Sequence, residues 1–241
     1  MGGSAAHTGT GPPSAHGEAA PIFGSRPTAT DGGRTPMRDT DRGGRVEGMR
    51  DDALSVIVCG SSAASQLPLY LTWLRQEIDL GLRVLLTADA ARFVQPQLVA
   101  WYADETCTSD DPALNPVEFA KRSAAVVVLP ATANTLAATA LGLAATPAQT
   151  ALLAAERPVL FFPNMNRTMW TKEPTRRHVA TLRADGHTVV EPQEQVVFEL
   201  WRRENAAGIT MPAPDETAST VVAWLEKTLV HDGRDEEPTD R

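Results

Sequence analysis

Five short apolar runs alternate along this chain with stretches of helical periodicity. Short runs of this kind, ending in small or polar residues, are typical of strands buried on both faces of a parallel sheet. The element order βαβαβαβαβα, with right-handed crossovers between strands, predicts an α/β fold: a doubly wound parallel sheet with helices on both faces. The predicted strands are Leu54–Cys59, Arg83–Thr87, Ala125–Leu129, Val159–Phe162 and Thr188–Val190.

The segments between these strands predict helices, because their apolar residues recur at helical spacing. The acidic segment Asp104–Pro116 lacks any such period and is predicted to be an irregular loop. The predicted helices are Leu67–Leu80, a stretch around Ala90–Leu98, Glu118–Arg122, a stretch running towards Gly142, one from about Pro147 to Glu156, one ending near Gly186, and Thr217–Leu229.

Two terminal segments differ from the rest in composition. Residues 1–50 are rich in Gly, Ser, Thr, Pro and Arg without a hydrophobic period, so they cannot bury enough surface to offset the entropy of ordering. We predict a disordered arm at 1–50, a folded domain at 53–230 and a disordered acidic tail at 231–241.

Composition excludes several classes of function. A formal net charge of −8 without a basic run argues against nucleic acid as a partner. The sequence has no apolar window of about 18 residues, so no membrane span is expected. Two cysteines in 241 residues are no disulfide framework and favour a reducing, cytoplasmic location. No metal site is predicted.

Small and hydroxyl residues follow two of the predicted strands. Gly60, Ser61 and Ser62 lie between a strand and a helix, where free backbone N–H groups and hydroxyls suit a phosphate; the alternative is a tight turn that needs small residues. Thr132–Thr135 can offer hydroxyl, amide and backbone groups to a ring or a phosphate, or Thr132 can simply cap the next helix.

A third strand end, Val159–Trp170, reads V-L-F-F-P-N-M-N-R-T-M-W. Asn164 and Asn166 can hold a carboxylate or a flat heterocycle through neutral hydrogen bonds, while methionine and Trp170 supply apolar walls. An ordinary loop after a strand is the alternative. Because ligands bind at the carboxyl ends of parallel strands, the three ends together predict a site for a phosphorylated, planar cofactor.

The motifs P-A-T-A-N-T at 130–135 and P-N-M-N-R-T-M-W at 163–170, together with G-S-S-A-A at 60–64, closely resemble the homo-oligomeric flavin-containing cysteine decarboxylases. The resemblance extends over about Ser55–Pro192 and is closest in type to the peptidyl-cysteine decarboxylases of ribosomal peptide natural-product pathways. It implies a flavodoxin-like fold that binds FMN at a subunit interface, in trimers or dodecamers.

The resemblance also implies roles for particular residues. Asn166 and Met169 would meet the carboxylate and thiol of a substrate cysteine, with Asn134 also at the catalytic centre. The residues that would hold the phosphate region or line the flavin are Gly60, Ser61, Ser62, Thr87, Phe93, Thr132, Ala133, Asn134, Thr135 and Asn164.

In this family hydride passes to the flavin and the thiol end of the cysteine is oxidised to a thioaldehyde. The carboxylate then leaves as CO₂, and the electrons of the broken bond are accepted by the thioaldehyde. A neutral amide such as Asn166 would orient the carboxylate without an ion pair that stabilises the ground state.

Two departures from the family pattern bear on the chemistry. Pro116 stands where the family usually has a histidine, and Asn115 and Glu118 are candidates for the missing base only by proximity. No cysteine occurs in Gln193–Pro214, where the coenzyme A pathway enzymes carry a reducing cysteine, which favours an oxidative decarboxylase that releases an enethiol.

The segment Val196–Met211 is interpreted either as a substrate clamp or as an ordinary amphipathic helix. In the clamp, the side chains that could grip a peptide C-terminus are those of Phe198, Leu200, Trp201, Arg202 and Arg203.

Three functions therefore stay open. The first is FMN-dependent oxidative decarboxylation of the C-terminal cysteine of a ribosomally made precursor peptide, giving an aminoenethiol. The second is an enzyme like phosphopantothenoylcysteine decarboxylase or flavin prenyltransferase. The third is a non-catalytic flavin-binding subunit, a reading motivated by Pro116.

Overall fold

A parallel sheet of six strands organises the part of the chain that the computed structural model describes, residues 53–199 and 202–232. Its strand order is β3-β2-β1-β4-β5-β6, and a separate antiparallel pair is formed by β7 and β8. The strands are β1 Ala53–Val58, β2 Gly81–Leu86, β3 Glu105–Thr108, β4 Ser123–Ala131, β5 Val159–Pro163, β6 Thr188–Val189, β7 Gln193–Glu199 and β8 Glu204–Thr210.

Helices cover both faces of the large sheet. They are α1 Leu67–Glu77, α2 Pro96–Val99, α3 Pro116–Lys121, α4 Ala133–Ala140, α5 Pro147–Leu153, α6 Arg167–Trp170, α7 Glu173–Ala184 and α8 Pro214–Asp232, with short 3₁₀ turns at Ser62–Gln66 and Ala90–Arg92. Helix α1 packs against α8 on one side, and α3 against α5 and α4 against α7 on the other. The predicted α/β fold, a flavodoxin-like doubly wound sheet, is confirmed.

Two apolar cores lie on the two faces of the sheet because alternate residues of a strand point in opposite directions. The consecutive Phe161 and Phe162 of β5 belong to different cores, and both are fully buried. Burial of one such side chain contributes roughly 1.5–3 kcal/mol. The apolar runs of the sequence are thus the strands on which both cores are built.

The structure corrects two predictions about local structure. The segment Asp104–Pro116, predicted as an irregular loop, contains the strand β3, which pairs with β2 alone at the edge of the sheet. Its residues are polar and only half-buried, so no apolar run marks it. The carboxylate of Glu105 in this strand accepts a 2.9 Å hydrogen bond from the buried Arg83 of β2.

The second correction concerns Val196–Met211. The helix alternative is wrong, because this segment lies in the β7–β8 hairpin, in which Gln193 pairs with Thr210 and Glu199 with Glu204. Leu200 and Trp201 lie outside the described residues.

The predicted arm at 1–50 also lies outside the described part of the chain, as do residues 233–241. Helix α8 continues to Asp232, two residues into the segment predicted as a tail. Within the described residues, each helix is too short or too polar to cross a lipid bilayer.

Candidate functional site

A cleft of about 600 Å³ opens at the carboxyl ends of the parallel strands. Strand β2 lies on one side of β1 and β4 on the other, so the strand order reverses at β1. The cleft lies at this point. This is the usual ligand site of an open α/β sheet. The lining residues are Cys59, Gly60, Ser61, Thr87, Ala88, Asp89, Ser109, Asp110, Thr132, Ala133, Asn134, Thr135, Thr146, Pro147, Ala148, Gln149, Asn164, Met165 and Met169.

At the end of β1, Gly60 allows the chain after β2 to come close. A Cβ atom on Gly60 would lie 2.3 Å from the Cβ of Asp89 and 3.0 Å from its backbone carbonyl carbon, so only glycine fits. The next residue, Ser61, caps the 3₁₀ turn by accepting from the N–H of Ala63 at 3.4 Å. Its hydroxyl also donates to the side-chain carbonyl of Asn164 at 2.5 Å, which joins the ends of β1 and β5.

At the end of β4, a chain of side-chain hydrogen bonds surrounds the start of α4. Thr132 caps this helix by accepting from the N–H of Thr135 at 3.3 Å, and the two hydroxyl oxygens are 3.1 Å apart. The first-turn amides of Ala133 and Asn134, which have no partner within the helix by geometry, are the donors that α4 offers to the cleft. They suit a phosphate or a ring carbonyl.

The thiol of Cys59 lies 3.0 Å from the hydroxyl of Thr135 at the floor of the cleft. Burial raises the pKa of Cys59, an effect that the hydrogen bonds to Thr135 and to the backbone of Thr132 only partly oppose. Because a nucleophilic cysteine must be a thiolate, Cys59 is a structural rather than a reactive thiol.

At the end of β5, the backbone N–H of Asn164 donates to the carbonyl of Ala131 at 2.8 Å, which holds this residue beside β4. Since the Asn164 side-chain carbonyl accepts from Ser61, its NH₂ group is the part that faces a ligand. Met165 and Met169 add apolar wall. Trp170, in contrast, does not line the cleft but is buried in the core, with the guanidinium of Arg176 4.9 Å from its ring centroid.

The structure brings most of the predicted site residues into this cleft: Gly60, Ser61, Thr87, Thr132, Ala133, Asn134, Thr135, Asn164 and Met169. Ser62, Phe93 and Asn166 do not line it. Phe93 is 47% exposed after the second 3₁₀ turn, and the exposed Asn166 caps α6 by accepting from the N–H of Met169 at 2.9 Å.

Sequence reasoning missed two parts of the lining. Asp89, Ser109 and Asp110 follow β2 and β3, and Thr146–Gln149 form the start of α5. The Thr-Pro pair at 146–147 is a helix-start signature that could have been recognised, since Thr146 caps α5 through the N–H of Gln149. The approach of α5 to the cleft depends on tertiary packing and leaves no mark in the sequence.

The site of the missing histidine lies outside the cleft. Pro116 begins α3, Asn115 caps that helix through the N–H groups of Val117 and Glu118, and Glu118 forms an ion pair of 3.6 Å with Arg122. The titratable side chains in the lining are instead Cys59, Asp89 and Asp110. Asn115 and Glu118 therefore lie outside the cleft lining of this single chain, and their role as a base stays a prediction.

The donor set fits a flavin nucleotide. Hydroxyls, amides and first-turn N–H groups offer neutral hydrogen bonds for a phosphate and a heterocycle edge, and the two methionines offer apolar contact. The volume lies within the range of roughly 300–1,000 Å³ that is common for small-molecule sites. No lysine, arginine or histidine lines the cleft among the described residues, so a phosphate there would depend on dipoles and neutral donors.

Comparison with known proteins places this arrangement in context. The family described as Flavoprotein matches residues 46–226. Mersacidin decarboxylase of Bacillus sp. (strain HIL-Y85/54728) is 30% identical over 189 residues, which cover 76% of this chain and 95% of that protein.

Two further proteins show the range of the similarity. The coenzyme A biosynthesis bifunctional protein CoaBC of Mycobacterium tuberculosis (strain ATCC 25618 / H37Rv) is 36% identical over 155 residues, 63% of this chain but only 36% of that protein. The crystal structure of the FMN-dependent cysteine decarboxylase SpaF aligns with a TM-score of 0.60 at 28% identity, covering 73% of this chain and 98% of SpaF.

Proposed function

We propose that this member of the Flavoprotein family, a flavin-dependent cysteine decarboxylase, uses FMN. Its substrate would be the C-terminal cysteine of a ribosomally made peptide, from which it removes the carboxylate. The product would be an aminoenethiol. The observation that carries the proposal is the meeting of neutral donors from three strand ends, Ser61, Thr132–Thr135 and Asn164, in one cleft.

FMN, when bound, supplies a hydride acceptor for the oxidation of the substrate thiol carbon. Ser61, Thr132 and the first-turn amides of α4 would hold its phosphate and ring edges, and Thr87 and Met165 would lie along it. Because these groups are fixed by strand ends and helix caps, they bind without reorganising.

Asn166 and Met169 would form the substrate end of the site. The Asn166 carbonyl is engaged in capping α6, so its NH₂ group is left to donate to the cysteine carboxylate. A neutral donor orients the carboxylate but stabilises its negative charge less than a cation would. The ground state is therefore stabilised less, and the loss of CO₂ is not opposed. Met169 is 44% exposed and offers an apolar surface to the thiol.

The β7–β8 hairpin is proposed as the clamp over the peptide. Val196 and Phe198 lie on one face of β7, two residues apart, and are 74% and 58% exposed. At the turn, Arg203 adopts a positive φ of 56°, and Arg202 lies 2.6 Å from Glu204. A pair of exposed apolar residues on a hairpin face suits the backbone and side chains of an extended peptide.

The similarity to CoaBC favours a second candidate, decarboxylation of phosphopantothenoylcysteine, since the identity of 36% exceeds that to mersacidin decarboxylase. Two observations favour the peptide. The alignment with mersacidin decarboxylase spans nearly that whole protein, and the segment Gln193–Pro214 carries no cysteine that could return electrons to the product.

A homo-oligomer, trimeric or dodecameric, is part of the proposal. Phe93 is exposed and outside the cleft of its own chain, as expected for a flavin contact made to a neighbouring copy. We also infer a cytoplasmic location, since Cys59 and Cys107 are both free thiols.

Mass spectrometry of peptides incubated with the purified protein tests this function. A peptide ending in cysteine should lose CO₂ and two hydrogens, while the same peptide with a C-terminal amide should be unchanged. Turnover of phosphopantothenoylcysteine with loss of CO₂ alone, and none of the peptides, would favour the second candidate.

A further inference from the structure

One guanidinium group connects both strands of the β7–β8 hairpin to the start of α6. Arg167 is the first residue of α6 and directly follows Asn166. Its Nη1 donates to Oε1 of Glu194 on β7 at 2.6 Å, and its Nη2 donates to the carbonyl of Gly208 on β8 at 3.3 Å. The two strands are therefore held by two arms of a single planar group.

Two other described contacts connect the hairpin to the rest of the chain near this end. The hairpin forms no ladder with the six-stranded sheet, and its second strand contacts the core through the half-buried Ile209. Gln193, at the start of β7, donates to Glu216 of α8 at 2.8 Å on an exposed surface. Residues further along the hairpin, Val196 and Phe198, project with exposed side chains.

Gly208 is suited to its part in this contact. It is buried, and a Cβ atom there would lie 2.2 Å from Cγ2 of Val197 on the facing strand. The absence of a side chain lets β7 and β8 pack closely at the point where the guanidinium reaches the carbonyl. The contact thus lies at a closely packed position of the hairpin, near the start of β7 and the end of β8.

Other charged side chains lie near Arg167 without pairing with it in these contacts. It borders a cavity of about 460 Å³ between α6 and the base of the hairpin, whose wall includes Trp170 and Arg176. Glu191, just before β7, is 3.3 Å from Arg176 and 2.9 Å from Arg183 and so occupies the neighbouring guanidinium groups. The contacts of Arg167 to Glu194 and Gly208 therefore join it to the hairpin and not to this neighbouring cluster.

We propose that Arg167 is a positioning residue that holds the hairpin over the substrate end of the cleft and couples it to Asn166. The inference rests on the proposed function, in which the hairpin closes on the peptide. An exposed ion pair alone stabilises little, but a forked group that also binds a backbone carbonyl restricts the orientation of both strands. Lysine carries a single nitrogen at its end and lacks the planar fork whose two arms reach both acceptors here, so it should hold the hairpin less well.

The test is Arg167→Lys, which retains the charge, with Glu194→Gln as a second variant that retains an acceptor. The matched control is Arg75→Lys. Arg75 makes the same kind of contacts far from the hairpin, to the carboxylate of Asp104 at 2.7 Å and to the carbonyl of Tyr102 at 3.0 Å.

Two readouts are measured on the full chain with FMN. The first is amide hydrogen exchange of the segment 193–210 without peptide. The second is KM and kcat for synthetic pentapeptides ending in cysteine. We expect Arg167→Lys to raise both the exchange rate and KM by roughly threefold to tenfold, with kcat and FMN content unchanged. Glu194→Gln should show a smaller change of the same kind, and Arg75→Lys none.

If Arg167→Lys has the exchange rates and KM of the wild-type protein, the inference is overturned. It is also overturned if Arg75→Lys changes both quantities as much as Arg167→Lys does. If the wild-type protein turns over no peptide ending in cysteine, the proposed function fails. The exchange rates then still decide whether Arg167 positions the hairpin.

Discussion

The hydroxyl of Ser61 donates to the side-chain carbonyl of Asn164, although 103 positions separate the two residues in the chain. They follow β1 and β5, the two strands that flank β4 in the sheet. The bond engages the carbonyl of the Asn164 amide, so its NH₂ group is the part of this cleft residue that can donate to a ligand. The geometry of the cleft therefore depends on a contact between two strand ends.

Ser61→Ala should weaken FMN binding roughly tenfold, because it removes one net hydrogen bond and frees the Asn164 amide to rotate. Titration of the flavin-free protein with FMN, followed by flavin fluorescence, measures the change. Ser65→Ala is the matched control, since its hydroxyl donates to the carbonyl of Ser62 on the exposed side of the turn. An equal loss in both variants would argue against a specific role of the Ser61–Asn164 bond.

Asn166→Asp should abolish turnover while leaving FMN bound. An aspartate can still accept from the N–H of Met169 and cap α6, so the fold is kept, but the NH₂ donor is lost and a negative charge meets the substrate carboxylate. Asn115→Asp, the same change at the cap of α3 outside the cleft, should retain activity. Unchanged turnover in Asn166→Asp would remove this residue from the site, and loss of activity in Asn115→Asp would support Asn115 as a candidate for the base.

Gly60→Ala should destabilise the protein by roughly 1–3 kcal/mol, because the new methyl group would lie 2.3 Å from the Cβ of Asp89 and overpack the turn after β2. Gly81→Ala is the control, because a Cβ there has its nearest neighbour at 3.4 Å. Urea unfolding of the two variants gives the free energies. Equal stabilities would show that the turn moves aside at no cost.

His187 should make stability depend on pH. Its Nδ1 accepts from the N–H of Val159 at 3.0 Å, and burial lowers the pKa of His187 below its ordinary value of 6.5, which the nearby Asp185 only partly opposes. The unfolded chain thus binds the proton more readily. The contribution of neutral His187 to the free energy of unfolding is therefore complete above pH 6.5, and it is lost as the pH falls below 6.5 towards the lowered pKa.

The variant His187→Asn keeps an acceptor for Val159 but does not titrate. Urea midpoints at several pH values between about 7.5 and 5 should fall less steeply in the variant than in the wild-type protein. Identical slopes would show that His187 does not contribute to the acid sensitivity.

Whether a strand can be predicted from the sequence depends on how many of its faces are buried. The strands β1, β4 and β5 are recognisable because both of their faces are covered, which requires apolar runs such as Val159–Phe162. The edge strand β3 and the hairpin each leave one side in water, so polar residues are tolerated and the pattern of Glu105–Thr108 does not differ from a loop.

The same logic applies to the cleft. Gly60, Thr132 and Asn164 could be grouped in advance because parallel strands end at one edge of a sheet. The contribution of Asp110 required knowledge of β3, and that of Thr146 required the packing of α5. Phe93, which the resemblance assigns to the site, and Asn166, which both the residue pattern and the resemblance assign, lie outside the lining of this single chain, so their roles stay predictions.

The central claim is that this cleft binds FMN, and the absorption spectrum of the purified full-length protein tests it most directly. We predict a yellow protein with the bands of an oxidised flavin, one FMN released per chain on denaturation, and reduced FMN content in Ser61→Ala. A colourless protein that takes up no added FMN would contradict it.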